Sequence, residues 1–377
     1  RRKKFVQVGR QDFVLRSWRH LRSGEVPAIE KRYGQFVNWL WKQIRGTCSP
    51  TTMLLCCFPG SKYLGAVKVK IVEYEKYGEA DVLNIVDRTA PIPADGEVLI
   101  NIRAAGVNPF DWKLRSGYLQ KFFKVEFPVY PGNEGSGVVA AVGPGVTNFK
   151  AGDEVSFLSR NIKQGCYAEQ VAIETEHVVP KADHISFAEA AAWPLSGVTA
   201  WKALVETAPI SKDMKVLIHG GAGGVGGMAI QIAKHRGAHV ATTCSAANAE
   251  YVKSLGADEV IAYDNEDFST AGKIYDIVFD TVGGDVHKNS YEVLKPGGTL
   301  VWIIAGPVED LSEEFGVIRK LAVVENVVDA LEGVAGLIND RVARPQVGPE
   351  FDLSDVAAAH IHSQSGHAKG KVILAIS

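Results

Sequence analysis

The chain has 377 residues, with 41 basic against 43 acidic side chains and a net charge of −2. Apolar residues make up 46% and charged residues 22%, which excludes disorder, and no stretch reaches the ~20 consecutive apolar residues of a membrane-spanning helix. The five cysteines, three of them at Cys48, Cys56 and Cys57, do not form a disulfide framework, so a reducing, cytoplasmic location is expected.

The small net charge hides a division. Residues 1–66 carry 13 Lys/Arg against Asp12, Glu25 and Glu30, a charge of +10, while the remaining residues carry 28 basic against 40 acidic groups, a charge of −12. In the basic head, Ile29, Tyr33, Phe36, Val37, Leu40, Trp41 and Ile44 recur at helical spacing among Lys31, Arg32, Lys42 and Arg45. The spacing predicts a basic amphipathic helix, of the kind that touches a membrane surface or addresses a chain to an organelle. A helix packed on the body and an added or accessory segment are the competing readings, and the accessory segment is preferred. The acidic body makes nucleic acid an unsuitable partner.

A globular body is expected from Val67. Val67–Tyr74, Glu97–Ala105 and Gly137–Val142 read as strands between Gly/Pro turns, and Lys150–Val155 as a turn entering another strand. After about Phe187, helical stretches alternate with short apolar strands at Lys215–His219, Ala238–Thr243, Glu259–Ala262, Asp276–Asp280 and Thr299–Ile304. That alternation predicts an α/β fold, with a doubly wound parallel sheet and crossover helices. A helix over Asn326–Ile338 and strand signals in Pro345–Ser377 complete the chain.

The sharpest local signal follows Lys215–His219. An apolar strand runs into Gly220-Gly221-Ala222-Gly223-Gly224-Val225-Gly226-Gly227 and then into a helix over Met228–Arg236. Gly221, Gly223 and Gly226 match G-x-G-x-x-G, which predicts a tight turn, a close approach of the pyrophosphate and helix-on-strand packing, in that order. Free N–H groups at the helix start favour the phosphates. The next strand end, Thr243-Cys244-Ser245-Ala246-Ala247-Asn248, has no carboxylate before Glu250. A carboxylate there would bind an NAD ribose and repel a 2′-phosphate, so its absence favours NADPH. Ser245 and Asn248 are donors suited to that phosphate, or alternatively caps of the following helix.

From Val67 onward the chain resembles the zinc-free quinone oxidoreductase branch of the medium-chain dehydrogenase/reductases, which includes zeta-crystallin and plant enone reductases. The resemblance rests on segments that occur in the family's order: Ala105–Tyr118, Pro131–Gly137, Trp193–Trp201, the glycine turn, Asp280–Gly284, Leu294–Gly298 and Gly366–Lys371. It implies a GroES-like catalytic domain (67–192 with 329–377) and a Rossmann NADP-binding domain (193–328), with residues 1–66 outside the resemblance. Zinc alcohol dehydrogenases place Cys and His where this chain has Asn108 and Asn133. Amides are poor zinc ligands, so no zinc is expected and alcohol oxidation on zinc is disfavoured.

The resemblance also implies roles for residues. Thr199 would touch the nicotinamide side, and Gly221, Ala222, Gly223, Gly224, Val225 and Gly226 would hold the pyrophosphate. Ser245, Asn248 and Tyr263 would surround the adenosine 2′-phosphate, although some relatives carry Lys where Asn248 stands. Val282, Ala305 and Gly306 would lie where ribose and nicotinamide pass. Lys371 would meet the phosphate or the cofactor loop, or else be an exposed surface lysine. Asn108 would donate an N–H to the substrate oxygen, Tyr118 would donate or relay a proton, and Lys113 would add positive charge. Asp111 and Arg115 are expected to fix that loop by pairing, and His219 to be a packed or capping group. The expected activity is NADPH-dependent reduction of a small-molecule quinone or α,β-unsaturated carbonyl. The alternatives are an NADPH-binding structural or redox-sensing protein and, less favoured, a zinc alcohol dehydrogenase. Pairing of the dinucleotide sheet edge into a homodimer is implied too, although the stretch 306–326 is short and divergent for it.

Overall fold

The computed structural model describes residues 67–159, 164–304 and 308–377. The predicted basic helix and the candidate residues Ala305 and Gly306 lie outside the described residues. Within Val67–Ser377, β1 (Lys68–Glu73) and β2 (Asn84–Thr89) form an antiparallel pair. β3 (Glu97–Val107) is the hub of a seven-stranded sheet with β4 (Glu134–Val142), β5 (Glu154–Leu158), β6 (Gln170–Glu174) and β7 (Val178–Pro180). The short helix α1 (Pro109–Arg115) follows β3 directly, started by the fixed φ of Pro109 at its first position.

Two helices, α2 (Phe187–Ala191) and α3 (Pro194–Trp201), lead into the second sheet. Its strands are β8 (Lys215–Ile218), β9 (His239–Cys244), β10 (Glu259–Ala262), β11 (Tyr275–Asp280), β12 (Leu294–Trp302) and β13 (Ile318–Leu321). They pair in parallel in the order β10-β9-β8-β11-β12-β13. The order reverses between β8 and β11, and a crevice opens beyond the strand ends at such a switch point. The crossovers include α4 (Gly224–His235), α5 (Ala249–Ser254), α6 (Asp285–Asn289) and α7 (Ser312–Phe315).

The chain then returns through α8 (Val328–Asn339), β14 (Val347–Asp352), α9 (Val356–Gln364) and β15 (Lys371–Ala375). β15 lies antiparallel to β3, with Val372 opposite Val107, so residues far apart in sequence become neighbours at one sheet end. Helix α9 was not anticipated by the strand reading of Pro345–Ser377. Its buried positions Val356, Ala359, His360 and Ser363 are helically spaced, but small and polar residues among them blur the pattern.

Two main cores hold these layers. One fills the parallel sheet's flank with Val216, Ile218, Met228, Ile230, Val240 and Phe279. It includes Leu331, Val334 and Ile338 of α8, a helix that the sequence reading divided from the Rossmann segment. The other fills the seven-stranded sheet with Ile100, Ile102, Val139, Phe157, Tyr167 and Leu374. Each fully buried aliphatic side chain contributes roughly 1.5–3 kcal/mol, which gives the strand ends a rigid base.

Candidate active site

The glycine turn sits at the switch point. Gly220 has φ +70, a left-handed conformation that favours glycine, so the tight turn falls there and not at Gly221. Gly221 instead packs beneath β9, where an added Cβ would collide with Thr242 Oγ1. A Cβ on Gly226 would run into the carbonyl oxygen of Gly220, so this glycine allows α4 to press on the turn. Gly223 is open: a Cβ there would meet only that same oxygen, at 3.4 Å. This is the open, Cβ-free cradle a pyrophosphate requires, at the start of a 12-residue helix.

The far end of the chain closes the turn. Gly370 N–H donates to the Ala222 carbonyl at 2.9 Å, and Gly370 bridges Gly223. The next residue, Lys371, is buried, which removes the alternative of an exposed surface lysine. Its Nζ donates to Asn108 Oδ1 at 2.5 Å and to Glu134 Oε1 at 2.8 Å. A Cβ on Gly224 would meet the Lys371 stem at 3.4 Å. Lys371 therefore runs from the glycine turn to the loop after β3, with its ammonium held at Asn108 and Glu134.

Glu134 is fully buried at the start of β4 and gathers this cluster. Oε1 also accepts from Asn108 Nδ2 at 2.8 Å, and Oε2 accepts from Leu195 N–H at 2.6 Å, anchoring the start of α3. Glu134 received no role in the sequence reading. A lone carboxylate in a glycine-rich strand, Gly132-Asn133-Glu134-Gly135, was the available signal. The Asn108 amide, expected to face a substrate oxygen, donates to Glu134 and, at 3.4 Å, to the Gly106 carbonyl.

Asp111 fixes the same loop. Its carboxylate accepts from Asn108 N–H at 2.8 Å, Tyr167 Oη at 2.6 Å and Asn133 Nδ2 at 2.9 Å. Burial pushes its pKa up to about 6, although the Tyr167 and Asn108 hydrogen bonds pull downward. Arg115 does not pair with Asp111. It is completely buried, reaching Gln364 Oε1 at 3.2 Å, the His360 ring at 3.5 Å and Glu79 at 4.0 Å. Burial, then the Arg115 charge, lowers His360 to about 3.

The remaining candidates lie around this centre. Tyr118 is 58% exposed at a solvent-facing edge, with Nζ of the half-buried Lys113 5.9 Å from its ring centroid. Burial lowers the Lys113 pKa. Thr199 is buried and donates to the Leu195 carbonyl at 2.6 Å. Val282 is 54% exposed beside the glycine turn, on a bend held by Asp280, whose Oδ1 accepts from the Val282 and Gly283 N–H groups at 2.8 and 2.9 Å. His219 is fully buried between Thr243 Oγ1 and Ser290 Oγ, each 3.1 Å away, and burial lowers its pKa to about 4, which fits the packed reading. Ser245 Oγ accepts from Asn248 Nδ2 at 3.1 Å, so these two pair with each other. Tyr263 is exposed next to them.

The donor chemistry does not suit a catalytic zinc. The positions of interest hold two amides: Asn108 is engaged by Lys371 and Glu134, and Asn133 donates to Asp111. Among the described residues, the one group of suitable ligands close enough to share a metal is Glu174, Glu176 and His177, around the short turn between β6 and β7.

Comparison with known proteins agrees with this geometry. The profile described as the alcohol dehydrogenase GroES-like domain matches residues 94–183, and that described as zinc-binding dehydrogenase matches residues 255–374. The chain is 33% identical over 322 residues to the chloroplast envelope quinone oxidoreductase homolog of Arabidopsis thaliana, covering 80% of this chain and 97% of the relative. The chain belongs to the quinone oxidoreductase branch of the medium-chain dehydrogenase/reductases. It is also 36% identical to the 2-methylene-furan-3-one reductase of Solanum lycopersicum, covering 81% of this chain and 79% of that one. The structure of the Escherichia coli quinone oxidoreductase complexed with NADPH superposes with a TM-score of 0.74 at 29% identity, covering 81% of this chain and 99% of that one. The α/β architecture, a GroES-like sheet beside a Rossmann sheet, is that of the family.

Proposed function

We propose that the protein is a zinc-independent, NADPH-linked reductase of quinones or of the C=C bond of α,β-unsaturated carbonyls. One observation carries this reading: the Cβ-free glycine turn lies directly against the buried Lys371–Glu134–Asn108 cluster, so dinucleotide and acceptor would meet at one point. The names of the relatives, which include quinone and enone reductases, and a superposable NADPH complex support it. When bound, the nicotinamide supplies a hydride to an acceptor carbon that is already electrophilic.

The chain's own residues bind, orient and balance charge. Gly221 to Gly226 cradle the pyrophosphate, Thr199 and Val282 flank the nicotinamide path, and Ser245, Asn248 and Tyr263 line the adenosine end. Lys371 carries positive charge to the acceptor side of the turn, where charge develops on the acceptor oxygen. Asn108 Nδ2 has one hydrogen on Glu134, and its looser contact with Gly106 is the one a substrate oxygen would replace. Tyr118, at the solvent edge, passes the proton from water, with the half-buried Lys113 beside it adding positive charge. The amides at Asn108 and Asn133 support a metal-free site, because an amide is a poor zinc ligand beside a thiolate or an imidazole.

The test mixes purified protein and NADPH with a panel of quinones and alkenals. Loss of the reduced-nicotinamide absorbance supports the reading, and dinucleotide binding without consumption favours the structural or redox-sensing alternative. Two further proposals accompany it. Exposed Ile318, Leu321 and Val323 on and just beyond the sheet-edge strand β13 fit a homodimer, to be checked by sedimentation. No helix among the described residues is long and apolar enough to cross a membrane. We place the protein in the cytoplasm, with an organelle as the alternative should residues 1–66 act as an address, which fluorescent fusions of residues 1–377 and 67–377 distinguish.

A further inference from the structure

The strand end that reads as lacking an acid acquires one from its neighbour. β10 lies parallel to β9 with Ala262 opposite Cys244, so Tyr263 and Asp264 leave the sheet beside Ser245 and Ala246. Tyr263 N–H donates to the Cys244 carbonyl at 3.0 Å. Asp264 then turns back across the gap, and its two carboxylate oxygens accept from Ala246 N–H at 2.9 and 3.1 Å. The sequence stretches that meet here, 243–249 and 263–269, contain no Lys or Arg, while the second also carries Glu266 and Asp267. Lys369 is held over the Tyr251 ring, 4.3 Å from its centroid.

A dinucleotide laid over the glycine turn brings its adenosine ribose to the end of the following strand, here β9. At that point a carboxylate accepts from a ribose 2′-hydroxyl and opposes a 2′-phosphate. An ionised carboxylate has about four acceptor sites, and one backbone N–H leaves room on Asp264 for a hydroxyl. The same carboxylate covers the Ala246 N–H that an incoming phosphate would use. It also sets a full negative charge against a phosphate of about −1.5 to −2.

We propose that Asp264 sets the dinucleotide selectivity of this protein, weakening the hold on a 2′-phosphate so that NADH competes with NADPH for the site. The proposal rests on the dinucleotide-binding reading above and concerns only how strict its preference is. It is tested by calorimetric titration of the full chain and of Asp264→Asn and Asp264→Ser with NAD⁺ and with NADP⁺, without substrate or turnover. The wild type should bind NAD⁺ within tenfold of NADP⁺. Both variants should shift the ratio toward NADP⁺ by about tenfold, the size of one nearby charge interaction at a solvent-exposed site. A wild type that prefers NADP⁺ tenfold or more, or a ratio unmoved in both variants, overturns the role of Asp264 while leaving dinucleotide binding intact. Binding of neither dinucleotide overturns the parent reading, and this one with it.

Discussion

The two sides of the β3–α1 loop are built on opposite principles. On the inner side Asn108, Asp111, Glu134 and Lys371 are buried and linked by hydrogen bonds of 2.5–2.8 Å. On the outer side Tyr118, Phe122 and Phe123 are exposed, and Lys113 reaches only ring faces. A buried cluster cannot lose one member without stranding the others, whereas a rim residue can change at little cost to the fold. In the proposed reaction, the first would supply the geometry and the second the tolerance for different acceptors.

The largest effect should come from breaking the inner cluster. Lys371→Met leaves Glu134 buried without its ammonium, and denaturant unfolding should show a loss of about 3–5 kcal/mol. Lys371→Arg, which keeps the charge, should recover part of that loss. A rim substitution that matched it would erase the contrast between the two sides.

A smaller effect belongs to pH. His219 is neutral in the fold because burial lowers its pKa to about 4, below the 6.5 of an exposed histidine. The unfolded chain therefore binds the proton first: this contribution is complete above about pH 6.5 and is lost as pH falls toward 4, by roughly 3 kcal/mol in all. Asp111 works in the opposite sense. Its folded pKa of about 6 exceeds the 3.8 of an exposed aspartate, so it favours the fold in acid and loses that contribution as pH rises through 6. Comparing wild type with His219→Gln isolates the histidine, because the stability gap between them should narrow as pH drops from 6.5 to 4. A gap that stays constant across that window rules out this account of His219.

Gly226→Ala should cost about 1–3 kcal/mol through overpacking against Gly220 and should weaken dinucleotide binding, both visible in thermal shift with and without NADPH. Least of all, Tyr118→Phe should leave unfolding within about 0.5 kcal/mol of wild type. Its kcat should fall by no more than about tenfold, since water reaches the same edge.

Local periodicity made most of the framework legible. The five strands from β8 to β12 stand close to where apolar runs between helical stretches put them, with β10 at Glu259–Ala262 as read. The glycine turn was found but shifted in register, since Gly220-Gly221 and Gly223-Gly224 offer several places for the tight bend and only φ decides. Lys371 is a candidate from the sequence, but its partnership with Glu134 is not legible there, because it depends on β15 lying beside β3, a pairing across more than 260 positions that leaves no local trace. Asp264 is hidden for a related reason: the strand that follows the glycine turn ends without an acid, while the carboxylate arrives from the strand alongside. Acids and bases that answer each other through a sheet are legible only once strand order is known.

The closing contact of Gly370 and Lys371 with the glycine turn has a temporal consequence. During synthesis every strand of the parallel sheet emerges from the ribosome before residue 371 does. A nascent chain can thus assemble most of its dinucleotide cradle while Asn108 and Glu134 still lack their ammonium. The Lys371–Glu134–Asn108 cluster is completed only after translation has passed this late segment.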